Sequence, residues 1–233
     1  MTTERSEARL VIQESADIDE GVTIGAGTRV WHLAQIRTGA VVGADCNIGR
    51  GAYIGPGVTI GDRCKVHNYA MVFEPALVED GVFLGPGVIL TNDRYPRSID
   101  LDGELKNADD WHADPVTVRT GASVGARSVV VAGVEIGSYA LVGAGSVVTK
   151  DVPAFALVVG NPARWIGWVG RSGERLVADG ARWKCPATGE VFVAVDGVLA
   201  PATPDTVVRP SLGFDGATSA AGSPVGDGSG GVA

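Results

Sequence analysis

Hydrophobic residues recur with a strict period of six between residues 12 and 90. Fourteen consecutive positions at this spacing carry Ile, Val or Leu without exception: Ile12, Ile18, Ile24, Val30, Ile36, Val42, Ile48, Ile54, Ile60, Val66, Val72, Val78, Leu84 and Leu90. A helix face repeats about every 3.6 residues and a half-buried strand about every 2, so neither element alone explains the pattern. A short repeat of this regularity predicts a solenoid.

Each repeat carries two further marks. A small residue or Val stands four positions after the aliphatic residue, from Ala16 to Val88. The position directly after the aliphatic residue is often glycine, as at Gly25, Gly43, Gly49, Gly55, Gly61 and Gly85. We expect one short strand and one corner per unit, with the aliphatic and small residues inside and glycine supplying unusual backbone angles at the corner. Three units would close one triangular turn, so residues 18 apart would stack and bury one continuous core.

The repeat is interrupted once, after Leu90, and resumes from Val118 to Val148. Because the gap of 28 residues is not a multiple of six, residues 91–117 are predicted to form an extruded loop. A loop of this length in a compact domain is typically functional. Beyond the repeat, a short helix is expected near Pro162–Val169.

The same pattern predicts the division of the chain. Residues 1–10 form an N-terminal tail, and residues 11–170 form the solenoid domain. Residues 171–199 read as a small β appendix, and residues 200–233 contain too few large apolar residues to fold.

Charge and composition narrow the class of partner. The net charge of −8 argues against nucleic acid or an anionic membrane as the main partner. Residues 1–10 lack the apolar run of a signal peptide, and no segment is apolar enough to span a membrane. Three cysteines do not make a disulfide framework. These features favour a cytoplasmic protein.

The C-terminal end of the repeat, VGAGSVVTKDVPAFALVVGNPAR, resembles the hexapeptide-repeat acyltransferases. The resemblance implies an all-β fold, a left-handed parallel β-helix, assembled as a homotrimer with acetyl-CoA in the groove between neighbouring helices. Three internal segments, VWHLAQI (30–36), KVHNYAMVFEPALVEDGVFLGP (65–86) and LTNDRYPR (90–97), resemble the branch that N-acetylates nucleotide-linked amino sugars. Its members include the UDP-2-acetamido-3-amino-glucuronate N-acetyltransferases of surface-polysaccharide pathways. The implied partners are therefore acetyl-CoA and a nucleotide-linked amino sugar.

Two polar residues beside the interruption are the first catalytic candidates. Glu74 and Asn92 are 18 residues apart, and each follows an inward aliphatic residue by two positions. We expect them to stack on one corner, where a carboxylate beside an amide suits an amine. The resemblance also gives Asn92 the position beside the reacting amine.

Two histidines are candidate bases. His67 and His32 are the side chains that would accept a proton from the attacking group. Related N-acetyltransferases often carry Gln where His67 stands, so surface or interface roles stay open for both, and the departing thiolate can instead take the proton.

The remaining site assignments follow from the resemblance. It places coenzyme A against six residues, with the two basic ones meeting phosphate: Gly143, Ala144, Gly145, Lys150, Asn161 and Arg164. The sugar nucleotide would meet Asn68, Asp93, Tyr95 and Arg97. Relatives usually have Asn where Tyr95 stands, which leaves the sugar open.

The cysteines do not predict a metal site. Cys46 and Cys64 occupy the inward small position, so we expect them in the core. The segment around Cys185 resembles one knuckle of a zinc ribbon. The other ligand places hold Gly170, Gly173 and Thr188, so no zinc is expected.

Other functions remain to be distinguished. An O-acyltransferase acting on a related carbohydrate is the nearest alternative. A γ-class carbonic anhydrase shares the fold but needs three His around zinc, two of them close in sequence, whereas the His here are 35 and 45 residues apart. A non-catalytic trimer scaffold is disfavoured by the extruded loop and the VVGNPAR ending.

Overall fold

The protein is described by a computed structural model that covers residues 9–107, 110, 112–195 and 198–202. Every regular element within these residues is a β-strand, which confirms the all-β prediction. Three long parallel sheets, here named sheets A, B and C, form the sides of a coil, and a fourth sheet, sheet D, follows it. Of the predicted tails, residues 1–10 and 200–233, residues 1–8 and 203–233 lie outside the described residues.

The strands of the coil are two residues long and, on each side of the loop, six residues apart, and sheet A ends with two longer strands. Sheet A contains Val11–Ile12, Arg29–Val30, Asn47–Ile48, Lys65–Val66, Phe83–Leu84, Ser123–Val124, Leu141–Val142, Ala156–Val159 and Arg164–Trp168. Sheet B contains Asp17–Ile18, Gln35–Ile36, Tyr53–Ile54, Met71–Val72, Ile89–Leu90, Val129–Val130 and Val147–Val148. Sheet C contains Thr23–Ile24, Val41–Val42, Thr59–Ile60, Leu77–Val78, Thr117–Val118 and Glu135–Ile136.

The chain visits sheets A, B and C in turn, so each coil contributes one strand to each sheet. Lys65 pairs with Asn47 on one side and Phe83 on the other, which is the predicted offset of 18 residues. This parallel β-helix is consistent with the left-handed form expected of hexapeptide repeats. The chain turns at three edges: edge AB follows each strand of sheet A, edge BC each strand of sheet B, and edge CA each strand of sheet C.

The aliphatic series forms the core as predicted. From Val30 to Leu90 every member is at most 1% exposed, and the small residues between them are buried as well. Ile12, in the first coil, is 44% exposed, and the described residues contain no earlier coil that would cover it.

The prediction for the glycines that follow the aliphatic residues was wrong. Gly25 and its equivalents do not have positive φ; the positive φ occurs two residues later, as at Gly57 (φ 64°) or Tyr69 (φ 58°). A Cβ on Gly25 would lie 2.4 Å from the backbone nitrogen of Ala44 in the next coil. These glycines are therefore required for close stacking of coils rather than for backbone angles.

The extruded loop leaves the coil after Leu90 and returns at Thr117, close to the predicted bounds. Across it the pairing offset becomes 40 residues, as between Leu77 and Thr117. Among the described residues of the loop, the Asp114 N–H donates a 2.9 Å hydrogen bond to the Asn92 carbonyl, which joins the two ends of the loop.

The end of the coil differs from the predicted short helix near Pro162–Val169. Residues Arg164–Trp168 form a strand that runs antiparallel to Ala156–Val159. The open edge of sheet A offers backbone partners, and the segment is rich in aromatic and aliphatic residues, which favour strands.

The appendix is a four-stranded antiparallel sheet, sheet D. Its strands are Val177–Asp179, Arg182–Lys184, Val191–Val195 and Val198–Pro201. Phe192 is buried and its ring lies 5.2 Å from that of Phe155, so the appendix packs on the last coil. The last strand runs two residues beyond the predicted boundary at 199. The described part of the chain holds no helix long and apolar enough to cross a bilayer.

Candidate functional site

The predicted catalytic residues divide between two edges of the coil. His32, His67 and Asn68 lie on edge AB, whereas Glu74 and Asn92 lie on edge BC. Sheet B separates the two edges within one chain.

Edge AB carries a cleft of about 280 Å³, which we call the histidine cleft. Its lining consists of Trp31, His32, Asn47, Gly49, Arg50, His67 and Asn68. The structure thus brings together both predicted histidines and Asn68. Sequence reasoning did not assign Trp31 or Asn47 to the site, although Trp31, Gly49 and His67 share the 18-residue stacking period.

Hydrogen bonds hold the cleft in place. Ser15 Oγ lies 2.9 Å from His32 Nδ1, and Trp31 Nε1 donates to Asn47 Oδ1. The His67 ring lies 4.7 Å from the ring of Phe83. No carboxylate is among the seven lining residues, so Arg50 makes the cleft a local cationic region in an acidic chain. Such a region suits phosphate or another anion.

The predicted coenzyme A residues lie at the other end of the chain's coil. Gly143, Ala144 and Gly145, here named the glycine strip, are on edge AB like the histidine cleft, and Ala144 and Gly145 are exposed. Gly145 has φ +71°, and a Cβ there would meet no atom within 4 Å. The Val159 side chain covers Gly143, so the open backbone of the strip is that of Ala144 and Gly145.

The polar residues predicted to meet coenzyme A are dispersed. Lys150, Asn161 and Arg164 are exposed. Lys150 follows a strand of sheet B and so lies on edge BC, away from the strip. Arg164 donates from Nη1 to the Ala163 carbonyl at 3.0 Å.

On edge BC, Glu74 is half-buried beside the mouth of the loop. Its Oε2 is buried and has no hydrogen-bond partner among the described residues. Burial, and then the negative charge of Glu74, raise the pKa of the Tyr53 hydroxyl, which sequence reasoning did not assign to the site. Tyr53 faces outward from sheet B, and its ring lies 5.3 Å from that of Phe73.

Three predicted sugar-nucleotide residues follow Asn92 in the loop: Asp93, Tyr95 and Arg97. Asp93 Oδ1 accepts a 2.8 Å hydrogen bond from the Tyr95 N–H, which fixes the start of the loop. Tyr95 is 79% exposed. Arg97 Nη1 donates to the Pro96 carbonyl at 2.8 Å.

The cysteines lie where the sequence predicts. Cys46 and Cys64 are buried and stacked, with the Cys64 N–H donating to Cys46 Sγ at 3.3 Å. Hydrogen bonding from Ser172, with a further contribution from Thr188, lowers the pKa of the Cys185 thiol. Within the described residues no group of three or more His, Cys, Asp or Glu side chains is arranged to hold a metal ion.

Two family models match the repeats. The chain matches the family described as bacterial transferase hexapeptide (six repeats) over residues 21–56 and 39–74. It also matches the hexapeptide repeat of succinyl-transferase over residues 115–150. Both sides of the extruded loop are therefore hexapeptide repeats.

Curated relatives resemble part of the chain. The dTDP-3-amino-3,6-dideoxy-alpha-D-galactopyranose 3-N-acetyltransferase of Aneurinibacillus thermoaerophilus is 48% identical over 82 residues, covering 35% of this chain and 42% of that protein. The galactoside O-acetyltransferase of Escherichia coli K12 is 33% identical over 89 residues, covering 38% of this chain and 42% of that protein. The similarity spans less than half the length of each relative.

A solved structure shares the architecture. A UDP-N-acetylglucosamine acyltransferase from Bacteroides fragilis superposes with a TM-score of 0.55 at 18% identity, covering 69% of this chain and 61% of that chain. At this identity the likeness concerns the fold.

Proposed function

We propose that this hexapeptide-repeat protein is an acetyl-CoA-dependent N-acetyltransferase that acts on the amine of a nucleotide-linked amino sugar. The observation that carries the proposal is the layout of edge AB, where a polar, cationic cleft and a bare glycine strip lie on one edge. The strip leaves room for the pantetheine arm, and the cleft has the charge to hold a sugar nucleotide. The relative that is 48% identical is itself named as a dTDP-amino-sugar N-acetyltransferase.

A second copy of the chain would complete the site. The outward side chains of sheet B are mostly apolar from the third coil onward: Tyr53, Met71, Ile89, Val129 and Val147. The loop also exposes apolar residues, among them Ile99 at 52% and Leu105 at 78%. Burying these surfaces between copies is favourable. Because edges AB and BC border sheet B, a three-fold assembly through sheet B would bring edge AB of one copy beside edge BC of the next.

That homotrimer would unite the two groups of catalytic candidates. His67 and His32 would come from one copy, and Glu74 and Asn92 from its neighbour. Asn92 would fix the amine, with Asp93, Tyr95 and Arg97 meeting the sugar nucleotide.

The chemistry is direct acyl transfer. The neutral amine attacks the thioester carbonyl, the new C–N bond forms, and the C–S bond breaks. The proton lost from nitrogen ends on the departing thiolate, either directly or through a histidine. A backbone N–H group at a glycine-containing corner would stabilise the oxyanion. Lys150, Asn161 and Arg164 would contact the nucleotide part of coenzyme A. We place the reaction in cytoplasmic polysaccharide or glycoconjugate biosynthesis.

The experiment is a substrate panel. The protein is incubated with acetyl-CoA and a set of nucleotide-linked amino sugars, and free thiol and product mass are followed. We expect thiol release with a mass gain of one acetyl group on at least one amino sugar, and no release when a hydroxyl replaces the amine. If none of the amino sugars caused thiol release, the proposal would be overturned.

The alternative is O-acetylation of a related carbohydrate. It is favoured by the two histidines of the cleft, since a hydroxyl needs a base more than an amine does, and by the similarity to the galactoside O-acetyltransferase. Transfer to the hydroxyl member of each sugar pair would establish it in place of N-acetylation.

A further inference from the structure

A ladder of side-chain acceptors joins successive coils along the edges. Asp62 Oδ1 accepts a 2.7 Å hydrogen bond from the Ala44 N–H, and Asp80 Oδ1 accepts one of 2.8 Å from the Asp62 N–H. Asn68 Oδ1 accepts one of 2.9 Å from the Arg50 N–H. In each case the acceptor stands two residues after an inward aliphatic residue, and the donor stands at the equivalent place one coil earlier.

Each acceptor oxygen sits over a glycine. A Cβ on Gly43 would lie 2.4 Å from Asp62 Oδ1, and one on Gly61 would lie 2.4 Å from Asp80 Oδ1. The glycine, which has no side chain, thus leaves space for the oxygen, and the N–H of the residue after the glycine donates a hydrogen bond to it. A distance of 2.4 Å between a Cβ placed on the glycine and the oxygen is therefore typical of an acceptor in this ladder.

Glu74 occupies a place of this kind. A Cβ on Gly55 would lie 2.4 Å from Glu74 Oε2, the same separation as for the two aspartates. The donor one coil earlier would be the N–H of residue 56, but that residue is proline, which has no N–H. The missing donor accounts for the buried Oε2 without a partner.

The other Gly-Pro corner of the repeat lacks this conflict. Pro86 follows Gly85, and the residue stacked above that corner is Ala126, which carries no acceptor. Of these two prolines, only Pro56 lies below a carboxylate to which it cannot donate a hydrogen bond.

We propose that Pro56 is a positioning residue that leaves the carboxylate of Glu74 unpaired, so that Glu74 accepts a hydrogen bond from the amino group of the substrate. The inference rests on the proposed function. A carboxylate deprived of both water and a backbone donor at one oxygen binds an N–H donor at its other oxygen more strongly than a satisfied carboxylate does. Glu74 as a whole is only half-buried. It lies one coil below Asn92, the second residue of the extruded loop.

The test is Pro56→Ala, which restores an N–H at the position where Ala44 already has one. The new donor satisfies Glu74, so KM for the amino sugar should rise about fivefold to tenfold, the effect of one charge-assisted hydrogen bond shared with a competitor. KM for acetyl-CoA and kcat should change less than about twofold, since the contact binds the sugar amine alike in the ground state and the transition state and does not touch acetyl-CoA. In a Glu74→Gln background, Pro56→Ala should have no further effect on KM.

Unfolding provides a readout independent of activity. Pro56→Ala and Pro86→Ala both remove a proline at equivalent places, but only the first gains an acceptor for its N–H. We expect Pro56→Ala to have the higher urea midpoint of the two.

Several results would overturn the inference while the proposed function stands. These are an unchanged KM in Pro56→Ala, an equal rise for both substrates, an effect that persists in the Glu74→Gln background, or a urea midpoint no higher than that of Pro86→Ala. Failure of the wild-type protein to acetylate any amino sugar would instead overturn the proposed function, and the comparison of midpoints would still show whether Pro56 withholds the donor.

Discussion

Gly125→Ala tests the close stacking of coils most directly. A Cβ at this position would lie 2.4 Å from the backbone nitrogen of Ala144 and 2.8 Å from the carbonyl carbon of Gly143. Both atoms belong to the backbone of the next coil, so no side-chain rotation can relieve the contact. Ordinary contacts between heavy atoms are about 3.5 Å, so the coils must separate locally by about 1 Å.

The cost follows from the hydrogen bonds that this separation disturbs. The Gly125 N–H donates to the Val142 carbonyl at 2.8 Å, and the Gly145 N–H donates to the Ala126 carbonyl at 2.8 Å. Two weakened bonds at about 1 kcal/mol each, with about 1–3 kcal/mol for overpacking, predict a loss of about 3–5 kcal/mol in the free energy of unfolding.

Gly57→Ala is the matched control. Gly57 has φ +64°, and a Cβ there would meet no atom within 4 Å. Leu33 and Tyr69 adopt similar angles elsewhere in the repeat, so a side chain fits this corner, and the left-handed backbone alone should cost about 1 kcal/mol.

Both variants would be unfolded in urea at one fixed protein concentration, with circular dichroism as the signal, because assembly would otherwise shift the midpoint. We expect the midpoint of Gly125→Ala to lie well below that of Gly57→Ala. Equal midpoints, or the reverse order, would refute the view that these glycines serve close stacking.

Three further outcomes are expected. Asn92→Ala should lower kcat by about 100-fold through loss of amine positioning while gel filtration shows an unchanged assembly, and a near-normal kcat would remove Asn92 from the site. His67→Gln should lower kcat by about 100-fold if His67 is the base, and an unchanged pH–rate profile would exclude that role. A hydrogen bond from Arg119 holds the pKa of Glu79 below its ordinary value, so this pair stabilises the fold above about pH 4.3 and the contribution is lost as the pH falls further. Arg119→Met should therefore weaken the acid dependence of the urea midpoint, and an unchanged dependence would contradict this.

The first part of the coil was predictable because a single rule repeats without a gap. The period of six places every aliphatic residue from Val30 to Leu90 in the core, and stacking at 18 residues brings His32, Arg50 and Asn68 into one cleft. The same counting places Glu74 one coil below Asn92 on edge BC. These relations follow from the regular geometry of stacked strands, and the unbroken period of six in the sequence specifies that geometry.

Elsewhere the local pattern is compatible with more than one structure. Residues Arg164–Trp168 were predicted to be helical, yet they form a strand because the edge of sheet A offers them backbone partners. The glycines at positions such as Gly55 looked like corner residues, but their role depends on atoms of the next coil, which are distant in sequence.

The sequence by itself therefore determined the coil, its core and the loop that interrupts it. Only the tertiary structure decided how the second half of the repeat is aligned with the first, because its strands carry the same hydrophobic pattern on all three sheets. The pairing of Leu77 with Thr117 settles that alignment and puts the glycine strip on the same edge as the histidine cleft. Tertiary structure also decided that the oxygen of Glu74 lies over Gly55 and beside Pro56, since the direction of one side chain depends on the space left by its neighbours.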